Sequence, residues 1–211
     1  GDKVVVTVKM SEATTVTGTP TYTIDVGGVS KSASYTSGSG SDTLVFSYTV
    51  ASGDENSAGG ITTGTTALTL AGSSTLKDAA GNNATLTTPA AATNTLAVDT
   101  AVPTVSSATI TATDASDVAK TSTLRIGDKV VVTVKMSEST TVTGTPTYTI
   151  DVGGVSKSAS YTSGSGSDTL VFSYTVASGD EDSAGGITAG TAALTLAGSS
   201  TLKDAAGNNA T

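Results

Sequence analysis

The sequence predicts an all-β protein built from tandem β-sandwich domains, and three observations lead to this prediction. Apolar and polar residues alternate with a period of two in several segments, as in a strand with one buried face. These segments are short and are separated by turns rich in Gly, Ser, Asn and Asp, and none carries a helical apolar stripe. The sequence also repeats itself. Gly1–Thr85 returns as Gly127–Thr211 with four differences, so 81 of 85 positions are identical.

The alternation locates the strands. Thr43–Val50 is the most regular segment, with Leu44, Phe46, Tyr48 and Val50 on its inward face. Gly27 and Gly28 fit the two central positions of a type I′ hairpin, which both need positive φ. We predict strands, in order, at Lys3–Met10, Thr21–Val26, Val29–Tyr35, Thr43–Val50, Ala67–Leu70 and around Thr95–Val98. In the second repeat, Val105–Ala112 and Leu124–Ile126 are predicted to add an opening strand and its continuation.

The repeat offset of 126 residues is close to the usual size of one domain. We therefore predict a first domain at 1–98, a linker at 99–104 stiffened by Pro103, and a second domain at 105–211. The first domain is expected to lack the opening strand that Val105–Ala112 gives the second. The second is expected to lack the closing strand within Leu86–Val98. The chain is thus expected to be part of a longer polypeptide whose continuation supplies both missing strands. The alternative is that neighbouring copies donate these strands to one another in a head-to-tail filament.

Composition argues against several classes of function. The net charge of −8 disfavours binding to nucleic acid or to an anionic membrane, because both need clustered Lys or Arg. Without His or Cys the usual general base and the thiol nucleophile are missing, so no enzymatic activity is expected. No apolar run is long enough for direct membrane insertion. With six Tyr, two Phe and no Trp, mostly on inward faces, a carbohydrate-binding module is also disfavoured.

Six segments, in their order and spacing, resemble the immunoglobulin-like tandem repeats of giant bacterial surface adhesins, including the extender regions of RTX adhesins. They are Val98–Thr104, Gly127–Glu138, Gly144–Gly154, Tyr161–Gly166, Tyr174–Asp180 and Lys203–Asn208. The resemblance covers essentially the whole chain. It implies tandem immunoglobulin-like β-sandwiches, an extracellular location on the bacterial cell surface, a role in cell adhesion and biofilms, and Ca²⁺ that stiffens the joints between domains.

A calcium site is predicted at the joint. If the sandwich has seven strands that alternate in direction, the loop after the second strand and the loop before the last strand both lie at the N-terminal end of the domain. Glu138 and Asp204 would then lie beside the linker and its Asp99, and three carboxylates repel one another unless a cation sits between them. Asn208 or backbone carbonyls would complete the ligand set. The alternative is a set of separate, solvated turn residues.

Two weaker metal patterns occur in loops. The segment starting with Asp180 and Asp182 partly resembles an EF-hand loop but lacks its fifth-position oxygen and its final Glu, and Asp54 and Asn56 form a weaker first copy. A solvated acidic loop is the alternative. Ser37–Val45 resembles one calcium-binding β-helix nonapeptide. A β-helix needs several such nonapeptides in succession, so we predict a turn without a cation at Asp42.

The function predicted from the sequence is therefore that of non-catalytic extender repeats of a large bacterial surface adhesin, rigidified by calcium. The expected partners are neighbouring repeats of the same chain, and identical chains placed side by side or head to tail are a further possibility. The rival prediction is the repeat subunit of a structural extracellular polymer, filament or surface layer.

Overall fold

The computed structural model describes residues 1–56, 60–88, 90–182 and 186–210, with the side chains of 190–192 left out. The chain forms two compact units, Gly1–Ala101 and Val102–Thr211. The boundary falls inside the predicted linker at 99–104. The described part contains fourteen strands and no helix, so no helical membrane span occurs there. The predicted all-β class is confirmed, with two antiparallel sheets consistent with β-sandwich packing.

The first unit forms one antiparallel path of strands in the order β5-β2-β3-β4-β1-β6. β1 bends between Lys9 and Thr14, so its first part pairs with β4 and its last part with β6. The glycines of the β2–β3 hairpin have φ of 60° and 84°, as the type I′ turn requires. The strands are β1 Lys3–Thr17, β2 Thr21–Val26, β3 Val29–Ser37, β4 Ser41–Thr49, β5 Thr62–Thr69 and β6 Thr75–Lys77.

The second unit repeats this arrangement and adds two strands. β9, β10, β11, β12, β13 and β14 correspond to β1–β6 in sequence and pairing, and β7 lies along the edge of β9. β7 in turn pairs with the two residues of β8. The strands are β7 Val105–Thr113, β8 Ala119–Lys120, β9 Lys129–Thr143, β10 Thr147–Val152, β11 Val155–Ser163, β12 Ser167–Thr175, β13 Thr188–Thr195 and β14 Thr201–Lys203.

An aromatic cluster fills the core of each unit. Phe46 is fully buried, and its ring centroid lies 5.6 Å from that of Tyr22 and 5.7 Å from that of Tyr35. Phe172 is placed in the same way against Tyr148 and Tyr161. Tilted and edge-on pairs of this kind stabilise a core beyond the area that they bury. The inward faces predicted from the alternation are therefore the ones that pack.

Four strand predictions need correction. The strand predicted at Ala67–Leu70 is β5, which begins earlier at Thr62 because Thr62 and Thr63 also pair with β2. β1 continues past Met10 to Thr17, because its bend lets the same strand pair with β6. The segment around Thr95–Val98 makes only an isolated bridge, from Val98 to Asn56. Leu124–Ile126 is no strand. It leads into a turn held by the buried Asp128, whose carboxylate accepts hydrogen bonds from Arg125 N at 2.8 Å and Lys120 Nζ at 2.6 Å.

Candidate metal centre

Two carboxylates of the second unit lie together. Glu138 belongs to β9 at its bend, and Asp204 follows directly after β14, which pairs with the far end of β9. A carboxylate oxygen of Glu138 and one of Asp204 lie within 4.8 Å of each other. Asp204 is 5% exposed and Glu138 is half-buried. The bend in one long strand therefore brings together two acidic residues that are far apart in sequence. Glu138 lies within this strand and not in a loop after it, where the strand-order prediction had placed it.

A tight turn orients Asp204. Asn208 donates its backbone N–H to Asp204 Oδ1 at 2.8 Å and its side-chain amide N–H to Oδ2 at 2.7 Å, and Asp204 N donates to the Asn208 carbonyl at 3.2 Å. Burial raises the pKa of Asp204, but the hydrogen bonds from Asn208 outweigh it and leave the pKa below its ordinary value. Asp204 is thus held charged in a fixed position. Asn208, predicted as a ligand, positions this carboxylate through its amide nitrogen.

The separation of the two carboxylates suits a calcium ion. Calcium binds oxygen at about 2.4 Å, so two oxygens on opposite sides of one ion lie about 4.8 Å apart at most. The Glu138 and Asp204 oxygens lie within that reach. Two partly buried carboxylates this close also repel each other, and a cation between them removes the repulsion. The pair offers one carboxylate oxygen from each residue to a cation, and calcium takes six to eight oxygens.

Asp99, the third predicted ligand, belongs to the first unit. It follows Val98, whose backbone exchanges hydrogen bonds with Asn56, and it accepts a hydrogen bond from Ala101 N at 3.1 Å. It is half-buried and stands three positions before Val102, where the second unit begins. Its role as a ligand beside Glu138 and Asp204 stays a prediction.

The first unit carries the equivalent acidic residues. Glu12 and Asp78 line one groove with Asn82, which donates its backbone and side-chain N–H groups to Asp78, both at 2.8 Å. These bonds, the side-chain one foremost, lower the pKa of Asp78. Each repeat therefore has an aspartate fixed by an asparagine four positions later, together with a glutamate from the bend of its long strand.

The loop aspartates Asp54 and Asp180 have a different role. Asp54 is 2% exposed, forms an ion pair with Lys31 at 2.6 Å, and accepts hydrogen bonds from Tyr48 Oη at 2.6 Å and Ala51 N at 2.8 Å. Asp180 is bound in the same way by Lys157, Tyr174 and Ala177. Both carboxylates therefore have protein partners on both oxygens. This network was not predicted from the sequence, and the only signal for it was an isolated Lys on a strand that otherwise carries no charge.

The other two loop residues are Asn56 and Asp182. Asn56 is 6% exposed and donates its side-chain amide to the Gly60 carbonyl at 2.6 Å. Asp182 is half-buried and lines a groove of about 480 Å³ with Asp180 and Ile187. The intervening residues 57–59 and 183–185 lie outside the described residues, so the EF-hand-like ligand order stays a prediction.

The Asp54 and Asp180 networks predict a loss of stability in acid. The ion pair with Lys31, with help from Tyr48 and Ala51, lowers the pKa of Asp54 from 3.8 to about 2, and Lys157 does the same for Asp180. A lowered folded-state pKa stabilises the fold above the unfolded value, and this contribution is lost as pH falls from about 4 to about 2. Thermal midpoints measured between pH 2 and 6 should fall steeply in that window. An Asp54→Asn, Asp180→Asn double variant should show a shallower fall, and identical profiles would contradict the role of the networks.

The nonapeptide-like segment is a hairpin turn between β3 and β4. Asp42 forms a surface ion pair with Lys9 and accepts a hydrogen bond from Thr43 Oγ1 at 2.9 Å. A Cβ on Gly38 would lie 2.0 Å from the Thr43 carbonyl oxygen, whereas a Cβ on Gly40 would meet nothing within 4 Å. Close backbone approach and positive φ explain these glycines without a cation.

Alanine substitutions at Gly38 and Gly40 test this explanation. Both positions have positive φ, so both variants should lose about 1 kcal/mol of unfolding free energy from backbone strain. Gly38→Ala should lose more, because only there does the new Cβ collide with the Thr43 carbonyl. Urea unfolding of the two variants measures the difference. Equal losses of unfolding free energy in the two variants would show that the close approach of Gly38 to the Thr43 carbonyl does not affect stability.

Comparison with known proteins gives no assignment: no protein-family model, no curated protein and no solved structure matches the chain.

Proposed function

We propose that the chain is a set of non-catalytic extender repeats from a large bacterial cell-surface adhesin, rigidified by calcium at the joints between domains. The observation that carries the proposal is the Glu138–Asp204 pair, whose carboxylate spacing suits calcium and whose aspartate is fixed by Asn208. The near-identical repeats support it, because each added copy lengthens a spacer whereas an enzyme gains little from adjacent duplicates. The family resemblance of the sequence points the same way.

The proposed mechanism uses one ion for each joint. Asp99 enters as a third carboxylate from the linker, so calcium connects the linker to the bend of β9 and to the turn after β14. Such a link replaces a hinge with a fixed joint, since the linker can no longer rotate without losing a ligand. A row of fixed joints holds a distant binding module away from the cell surface.

A non-catalytic role agrees with how the carboxylates are used. The described residues engage Asp54 and Asp180 with lysines, and Asp78 and Asp204 with asparagine amides. The lysines and amides fix the carboxylates in place, and the chain has no His or Cys to work beside them as a base or nucleophile. The close pair of Glu138 and Asp204 carboxylates supports a cation site in place of a catalytic one.

Solution scattering with calcium and with chelator tests the proposal. Calcium should raise the radius of gyration and the maximum dimension of the 211-residue chain, because the joint stops sampling bent states. Magnesium at the same concentration serves as control, since it needs a smaller, more regular octahedral site. Scattering curves that superimpose with calcium and with chelator would rule out the stiffening role.

The rival function is a structural polymer or surface-layer subunit. Sedimentation of the isolated chain over a range of concentrations separates the two functions. Monomers at every concentration favour the extender, and ordered assemblies favour the polymer.

A further inference from the structure

A loop at 54–56 is fixed to the first unit at both of its ends. The Asp54 carboxylate is buried and bound by a lysine and a tyrosine. At the other end, Asn56 N donates to the Val98 carbonyl at 2.7 Å, and Val98 N donates to the Asn56 carbonyl at 3.2 Å. Glu55 lies between these two anchors, so its backbone is held in place although the residue is exposed.

The β2–β3 hairpin packs directly against this loop. A Cβ at Gly27 would collide with the Glu55 carbonyl oxygen, and a Cβ at Gly153 would collide in the same way with the carbonyl oxygen of Glu181. Glycine permits so close an approach of two backbones at positive φ. Both units therefore hold the glutamate of this loop in the same place.

The Glu55 side chain binds the linker through Thr100. The backbone N–H and the hydroxyl of Thr100 both donate to Glu55 Oε1, at 2.9 Å and 3.0 Å. The same hydroxyl accepts a hydrogen bond from Gly53 N at 2.9 Å. Hydrogen bonds to a carboxylate are roughly twice as strong as those between neutral groups. We call Gly53, Glu55 and Asn56 the linker clamp.

The linker clamp binds the residues on both sides of Asp99. Val98 precedes it and is paired with the loop backbone, and Thr100 follows it and is bound by Glu55. The Asp99 carboxylate also accepts a hydrogen bond from Ala101 N at 3.1 Å. Rotation of the linker about Asp99 would break at least one of these contacts. The first unit therefore fixes where the Asp99 carboxylate lies and which way it points.

We propose that Glu55 is a positioning residue of the calcium joint: through Thr100 it holds Asp99 in the orientation that the ion needs. This inference rests on the proposed function, because it requires Asp99 to be a calcium ligand. A ligand that is already fixed loses little conformational freedom when the ion binds, so the linker clamp raises calcium affinity. Mutation of residues that orient metal ligands in this way typically lowers metal affinity by about 10–100-fold.

Calorimetric titration of the 211-residue chain with calcium tests the proposal. The relevant binding is the component that Asp99→Ala abolishes. Thr100→Val keeps the shape of the residue but removes its hydroxyl, and it should raise the dissociation constant of that component about tenfold. Thr100→Ser restores the hydroxyl and should return the dissociation constant to the parent value. A purely structural role of Thr100 would lower the thermal midpoint in chelator and leave the calcium affinity unchanged.

Glu55→Ala should weaken the same component, and Glu181→Ala is its matched control. Glu181 occupies the same place in the second repeat and carries the same charge, but Thr100 is bound by Glu55. Glu55→Ala should therefore raise the dissociation constant more than Glu181→Ala does. If Glu55 acts through Thr100, adding Thr100→Val to Glu55→Ala should cause little further loss of affinity.

The outcomes separate this inference from the proposed function. If no calcium binding depends on Asp99, the proposed function is wrong and the inference is wrong with it. If binding depends on Asp99 but Thr100→Val binds calcium as tightly as the parent chain, the inference alone is wrong. Equal effects of Glu55→Ala and Glu181→Ala, or additive effects of Glu55→Ala and Thr100→Val, would also contradict it.

Discussion

Replacing Asp54 with alanine is expected to destabilise the first unit by about 3 kcal/mol, because removing one member of a buried ion pair leaves the other without its partner. The Asp54 side chain is only 1% exposed, and its loss also frees Tyr48 Oη and Ala51 N. Urea unfolding should then separate into two transitions, the lower from the first unit. Asp180→Ala should produce the same separation by weakening the second unit instead.

Asp42→Ala is the matched control for Asp54→Ala. Asp42 also forms an ion pair with a lysine, but its side chain is 47% exposed and water replaces the lost partner. Unfolding of this variant should stay close to that of the parent chain. If Asp42→Ala and Asp54→Ala unfold alike, the buried network does not stabilise the fold.

Calcium is expected to raise the thermal midpoint of the chain, and Glu138→Gln is expected to abolish most of that rise. Binding to the folded state alone adds about 2.7 kcal/mol at a hundredfold excess over the dissociation constant, which corresponds to about 10 °C for a domain of this size. The Gln side chain keeps the shape of Glu but removes one of the two neighbouring charges. Thermal unfolding with calcium and with chelator measures the effect.

Glu12→Gln provides the control for Glu138→Gln. Glu12 lies in the same local sequence and lines a groove with Asp78, but the proposed mechanism brings Asp99 to Glu138 and Asp204 and not to Glu12. If Asp99 completes the site, the calcium response should survive Glu12→Gln. Asp99→Ala should reduce the response as much as Glu138→Gln does. If Glu12→Gln and Glu138→Gln reduce the calcium response equally and Asp99→Ala does not reduce it, the linker is not part of the site.

Much of the fold could be predicted from the sequence, because period-two alternation reports directly which face of a strand is buried. Thr21–Val26 was predicted with its observed bounds, and the hairpin at Gly27 followed from the φ values that its turn needs. The course of β1 beyond Met10 was not predictable in this way. Its pairing with β6 depends on a bend, and the residues after Met10 do not alternate.

The candidate site was predictable in part. The parity of strand directions led to the expectation that Glu138 and Asp204 lie close together, but it placed Glu138 in a loop, whereas the structure places it inside β9 at a bend. The position of Asn208 as a hydrogen-bond donor to Asp204 could not be predicted, because an asparagine near an acidic residue serves equally well as a ligand or as a turn former. The partners of Asp54 were missed for a related reason. Lys31 lies far from it in sequence and meets it only once the sheet has formed.

The near-identity of the repeats has a consequence for how the chain folds. β4 and β12 have the same sequence, as do the parts of β1 and β9 that pair with them, so mismatched pairs gain the same contacts as native ones. Native and mismatched pairs differ only in the length of the chain between the two strands. The lower loop-closure entropy cost of the shorter connection favours the native pair by about 1 kcal/mol. Refolding from denaturant should therefore trap a fraction of molecules with exchanged strands. Synthesis from the N-terminus avoids this trap, since the first repeat can close before the competing strands exist.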